Sequence, residues 1–387
     1  MTKEKGSTRD ARKQVFDCLT GGTVPDDLPL PLGIAVNPLR DQIKGISREL
    51  RERRPAMFQD IYIDIVDDLR LNALAFKDET GEYIGVNIGF ALFLPHIINH
   101  LVAQPQLFLN IGDTSKERPT VVQIDDRTLS RKGRVSNLDV QDLSWVYSFD
   151  HPLDEVRQRF GGFLTISAQG FLLYHEIGHL VRCHLDFLRQ SGFSEDDNLN
   201  VFLEFENDVP EEQLHIRRIL EFDADMIAAQ NMLDAIIHNG TLKAARAIFG
   251  SDAPELRNWG WPDLCYIMHI AIGVIFEIMA CLDGVKIEEP SRTHPHPDVR
   301  RNLILNLSWR TWKQYIPDQS KFIEVCKRAQ RDFLEIIRLK ILPSSRARYF
   351  KSYHDAEKEE TQLIWNGVCE INKILESLIS RRQAGFL

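Results

Sequence analysis

Phe171-Leu-Leu-Tyr-His-Glu-Ile-Gly-His-Leu180 carries His175, Glu176 and His179 in the pattern H-E-x-x-H, within a run that reads as helix. At 3.6 residues per turn, positions four apart differ by about 40° around the axis. His175 and His179 therefore project from one face and can offer two imidazole nitrogens to one metal ion. Glu176 sits about 100° from His175, off the ligand direction but placed to take a proton from a water activated by that metal. The opposite face, Leu173, Ile177, Leu180 and Phe187, is apolar and belongs against a core. The reading places the start of this helix near residues 163–167 and its end near 190. His184 comes five positions after His179, about 140° further round such a helix, and so reads as a core-edge or solvent histidine.

Two imidazoles need a third ligand, and Ile219-Leu-Glu-Phe-Asp-Ala-Asp-Met-Ile-Ala228 offers one. Glu221 and Asp225 are again four apart. On a second helix they share a face, with Glu221 completing a His-His-Glu zinc site and Asp225 accepting the Nδ1–H of a ligand histidine. Asp223 points the other way. Ala224, Ala228 and Ala229 are small enough to let the second helix approach the first closely.

In this order of motifs the chain resembles the gluzincins, zinc metallopeptidases whose third ligand is a Glu on a following helix. Leu71-Asn-Ala-Leu-Ala-Phe76 and Tyr83-Ile-Gly-Val-Asn-Ile-Gly89 are similar to the strand elements that precede the zinc helix in peptidase family M48. Ser291-Arg-Thr-His-Pro-His-Pro-Asp-Val-Arg300 is similar to that family's Ser-Thr-His-Pro…Arg segment after the third ligand. The match covers roughly residues 60–305. The soluble phage-exclusion peptidase Lit, also an H-E-x-x-H protein, resembles this layout too. The resemblance implies that His294 assists catalysis, with Arg300 as its partner, and that one strand of the 72–88 hairpin pairs with an extended substrate. The Pro residues around His294 and His296 stiffen an extended arm on which both imidazoles share a side. Unlike many M48 peptidases, this chain shows no clear spanning pair, and its insertion between the two metal helices is long and acidic.

The 387 residues, 43% of them hydrophobic, suffice for a substantial core, and a formal charge of −9 argues against nucleic acid and against anionic membrane surfaces as partners. Six scattered cysteines without a C-x-x-C read as reduced thiols. The polar amino terminus has no apolar run of a secretory signal, so the cytoplasm is the expected compartment. Residues 264–282 are apolar and long enough to cross a bilayer, yet His269 and Glu277 within them favour a buried core helix.

Taken in order, the chain reads as a helical amino-terminal cap and Pro-rich linker over 1–55, with the linker at 25–38. A catalytic unit follows over 56–315, then amphipathic helices over 316–387. Within the catalytic unit, a strand is expected at 120–124. The acidic stretch 194–212 reads as a solvated loop. The expected fold class is α+β, a helix-rich zincin-like core with a small sheet. The expected function is a zinc-dependent endopeptidase acting on protein or peptide substrates. Its metal ligands are His175, His179 and Glu221, its general base Glu176, its supporting residues Asp225 and His294, and its cofactor Zn²⁺. The alternative is a regulatory or binding protein that keeps such a core with little turnover.

Overall fold

The small sheet is built from the β-branched and aromatic runs at 61–88. In the computed structural model, β1 (Ile61–Val66) pairs in parallel with β3 (Gly81–Asn87), and β3 pairs antiparallel with β2 (Ala73–Asp78) through a tight hairpin. Asp78 closes the hairpin, its side chain accepting from the backbone N–H groups of Thr80 and Gly81. A two-residue strand β4 (Asn200–Val201) adds to the outer side of β2, giving the order β1-β3-β2-β4. In this order both hairpin strands have a neighbour on each side, β4 covering the outer side of β2 at Phe76 and Lys77.

The structure describes residues 4–53, 61–119, 149–192, 200–201, 210–238, 260–282, 299–304, 318–339 and 353–383, with isolated positions between them. The expected strand at 120–124 lies outside these residues apart from Ile124, as do most of the acidic stretch 194–212 and the histidines at 294 and 296.

Helices make up most of the rest of the described chain. They are α1 (Glu4–Thr20), α2 (Leu30–Arg53), α3 (Gly89–Leu92), α4 (Leu94–Val102), α5 (Glu155–Val181), α6 (His184–Gln190), α7 (Glu211–His238), α8 (Trp261–Leu282), α9 (Gln319–Arg338) and α10 (Tyr353–Gln383). With the mixed sheet they form a helix-rich α+β architecture.

Two expectations about helix limits are corrected here. The stretch 30–38 is helix rather than linker: α2 begins at Leu30, so Pro31 falls in the first turn, where no intrahelical N–H is needed, and only Pro38 interrupts the ladder. Its apolar stripe of Leu32, Val36, Leu39, Ile43 and Ile46 is buried, each side chain contributing about 1.5–3 kcal/mol, which offsets the lost hydrogen bond. Helix α2 thus shares one hydrophobic core with the elements around the motifs.

The H-E-x-x-H helix also differs at both ends. It starts at Glu155, where Asp154 caps the N–H groups of Val156 and Arg157, and it stops at Val181. Gly161 and Gly162 weaken the intrinsic helix preference of its first half, but burial of Phe160, Phe163 and Leu164 outweighs them. Arg157, fully buried, donates to the carbonyls of Val102, Gln104, Leu107, Phe108 and Ile111. Its Nε lies 3.4 Å from Oε1 of the buried Glu117, which itself accepts from the N–H groups of Leu153 and Asp154. One ion pair therefore ties the loop after α4 to the start of α5.

α8, the apolar run at 264–282, packs against α5, α7 and α9 with nearly all of its side chains covered. Among the described residues it is the one helix long and apolar enough to cross a membrane. Gly273 gives Phe333 of α9 room to lie on it, since a Cβ there would sit 2.7 Å from Phe333 Cδ2.

Candidate metal centre

α5 and α7 cross at their small residues. A Cβ on Gly178 would stand 3.0 Å from Ala224 Cα and 3.1 Å from its carbonyl oxygen, so the two backbones meet where α5 has no side chain and α7 has only a methyl. This contact brings residues 175–179 opposite residues 221–225. The side chains of His175, Glu176, His179, Glu221, Asp223 and Asp225 are all buried there, none exposed beyond 7%.

His175 Nε2 and His179 Nε2 lie 3.1 Å apart, with Glu221 across from them: Oε2 is 3.3 Å from His175 Nε2 and Oε1 is 3.4 Å from His179 Nε2. Among the described residues, these three form the only group of histidine, cysteine and acidic side chains suited to hold a metal ion, with one ligand atom from each within 4.8 Å of the others. Glu176 follows His175 on α5; it is buried and is not a member of this group.

Behind His175, its Nδ1 lies 2.9 Å from Asp225 Oδ1. Asp225 is held in turn by Arg300, which donates from Nε at 2.6 Å and from Nη2 at 2.8 Å, and whose Nη2 lies 3.3 Å from Glu221 Oε2. Arg300 was expected to work with His294. It is buried in an ion pair with Asp225 and Glu221, a guanidinium being the group that can bridge two neighbouring buried carboxylates, while His294 lies outside the described residues.

His184 overturns the expectation drawn from a continuous helix. The chain turns left-handed at Cys183 (φ 58°, ψ 34°), α5 ends, and α6 begins at His184. The reversal brings His184, fully buried, back onto its neighbour, with its Nδ1 2.9 Å from His179 Nδ1. On its other side, His184 Nε2 lies 2.9 Å from Asp223 Oδ2. Arg182 donates to the same carboxylate from Nε at 2.6 Å and also bonds Asn372 of α10. Spacing alone did not single out His184 or Arg182; the available signal was the short polar step Arg182-Cys-His184 after an apolar helix.

The electrostatics follow from this crowding. Burial opposes a charge on His175, but the carboxylates of Glu221 and Asp225 outweigh it and push its pKa up to about 10. Burial takes His179 down to about 3, with Glu221 opposing and His175 and His184 adding to the fall. Burial likewise holds His184 below the ordinary histidine range against the pull of Asp223. Asp225 and Asp223 stay below the ordinary carboxylate range despite burial, Asp225 chiefly through Arg300 and Asp223 chiefly through His184 and Arg182. One histidine thus carries a proton between two carboxylates while the other stays neutral. A divalent cation fits this donor set, since two imidazoles and a carboxylate with an Asp behind one of them are the types catalytic zinc uses, and it would replace that proton.

No family model, no curated protein and no solved structure matches this chain. The functional reading therefore rests on the residues themselves. His175, His179 and Glu221 come together, Asp225 stands behind His175 and Glu176 is buried, whereas His294 and His296 lie outside the described residues.

Proposed function

We propose that this protein is a zinc-dependent endopeptidase of the gluzincin type, similar to peptidase family M48, acting on protein or peptide substrates in the cytoplasm. The observation that carries the proposal is the buried His175, His179 and Glu221 group, together with a further buried acid, Glu176, directly after His175 on α5. Two imidazoles and one carboxylate leave a fourth coordination position open, the arrangement catalytic rather than structural zinc uses. When bound, Zn²⁺ supplies a Lewis acid that polarises the scissile carbonyl and makes water nucleophilic near neutral pH.

The remaining work falls to side chains of the chain. Glu176 accepts a proton at its carboxylate from the attacking water and returns it to the leaving nitrogen. Asp225 faces Nδ1 of His175 and so keeps Nε2 of that ring directed at the ligand group. Arg300 keeps Asp225 ionised and, next to Glu221, limits the negative charge of the centre. His294, on the sequence reading, serves as a second donor to the developing oxyanion.

The test combines metal analysis with proteome-wide mapping of new chain termini in cells carrying the wild type or Glu176→Gln. The expected result is about one zinc per chain in both proteins, with cleavage sites seen only for the wild type. Zinc at wild-type level in both His179→Ala and Glu221→Ala, or undiminished cleavage by Glu176→Gln, would refute the reading.

A further inference from the structure

We infer that His184 is a positioning residue for the metal centre: it accepts the Nδ1 proton of His179, and Asp223 and Arg182 hold it in the one tautomer able to do so. The inference rests on the metal-centre reading above and adds an assignment that the H-E-x-x-H motif does not contain.

The proton positions follow from the hydrogen bonds. His179 presents Nε2 to Glu221 and to His175, so Nε2 is its ligand atom and its Nδ1 must carry the proton of the neutral ring. That Nδ1 meets Nδ1 of His184 at 2.9 Å, and two ring nitrogens can share only one proton. His184 Nδ1 must therefore be the acceptor and its own proton must sit on Nε2. There it meets Asp223 Oδ2 at 2.9 Å, and a carboxylate accepts it. Arg182 keeps Asp223 an acceptor by donating to both of its oxygens. With Nε2 of His179 kept free as the ligand atom, every member of this chain of bonds has one role.

Two further observations point the same way. The relay needs the left-handed residue at Cys183, a conformation that is unfavourable for a residue with a Cβ and that a continuing helix would avoid. Such outliers are kept where the surrounding structure requires them, and here the reversal delivers His184 to His179. The relay is also anchored from outside the two metal helices, because Arg182 bonds Asn372 of α10 and Arg382 of the same helix donates to the Leu180 carbonyl and pairs with Glu82. The two ligand histidines are thus held differently, His175 by a carboxylate directly and His179 through a second imidazole.

The test uses the full chain loaded with Zn²⁺ and has two readouts besides activity. Long-range ¹H–¹⁵N spectra of the zinc-loaded wild type are expected to place the His184 proton on Nε2 and the His179 proton on Nδ1. Chelator competition is expected to show a ~10–100-fold loss of zinc affinity in His184→Leu, which removes the acceptor. His184→Gln, whose amide can accept from His179 and donate to Asp223, is expected to recover most of that loss. A proton on Nδ1 of His184, or a folded His184→Leu with wild-type zinc affinity, would overturn the inference while leaving the metal centre standing. If His184→Leu does not fold, the wild-type spectrum and the Gln variant decide. A wild type that takes up no zinc would overturn both this inference and the metal centre.

Discussion

α5 and α7 approach closely at Gly178, inside the H-E-x-x-H motif, so Gly178→Ala tests whether helix spacing sets the metal site. An added methyl would stand 3.0 Å from Ala224 Cα, 3.1 Å from its oxygen and 3.3 Å from its Cβ. Carbon pairs rest comfortably at about 3.5–4.0 Å, so relief requires the helices to part by roughly 0.5 Å. The obstacles are mostly backbone atoms, and no side-chain rotation removes them. Glu221 and Asp225 ride on the helix that must move, while His175 and His179 stay behind. A displacement of about 0.5 Å exceeds the ~0.2 Å tolerance of metal–ligand distances, so zinc affinity should fall at least ~10-fold, about 1.4 kcal/mol. Stability should change through two opposing effects. Overpacking costs about 1–3 kcal/mol, and replacing a mid-helix glycine by alanine returns about 1 kcal/mol, leaving the variant up to about 2 kcal/mol less stable. Urea denaturation of the metal-free protein and chelator competition measure the two effects separately. A Gly178→Ala protein that unfolds at higher urea and binds zinc as tightly as the wild type would refute this account of the α5–α7 contact.

Arg157→Met should destabilise the whole chain by roughly 3–5 kcal/mol in urea unfolding, because it strands the buried Glu117 and frees five carbonyls; a loss below 1 kcal/mol would show that the loop after α4 re-forms without the ion pair. Zinc affinity should rise about tenfold per pH unit between pH 7 and 9, since the metal must displace the proton that His175 holds up to about pH 10; a flat profile in competition assays would count against metal binding at His175. Without metal the sign reverses: with a folded pKa raised from 6.5 to about 10, this histidine stabilises the fold fully below about pH 6.5. That contribution is lost as pH rises through 10, so metal-free protein should weaken in alkali more than zinc-loaded protein does.

Much of this site was legible in the chain because it depends on local helical geometry. Spacing of four places His175 with His179 and Glu221 with Asp225 whatever else the protein does, and Ala224 and Ala228 announce a close helix partner. The hairpin at 73–87 was legible for a similar reason, its turn chemistry lying within four residues. The ends of α5 were not, because burial of Phe160 and Phe163 overrides two glycines and a left-handed cysteine interrupts a pattern that periodicity alone continues.

By itself, then, the sequence determined which residues can act together within each helix and the helix-rich α+β character of the chain. Tertiary structure alone decided the rest. It set the contact at Gly178 that brings the two pairs into one buried group, the assignment of Arg300 to Asp225 and Glu221, and the return of His184 to His179. The division has a physical cause. Side-chain direction on a helix is fixed by a few backbone dihedrals nearby, whereas the partner of a buried charge is chosen by whichever opposite charge the packed core brings within reach.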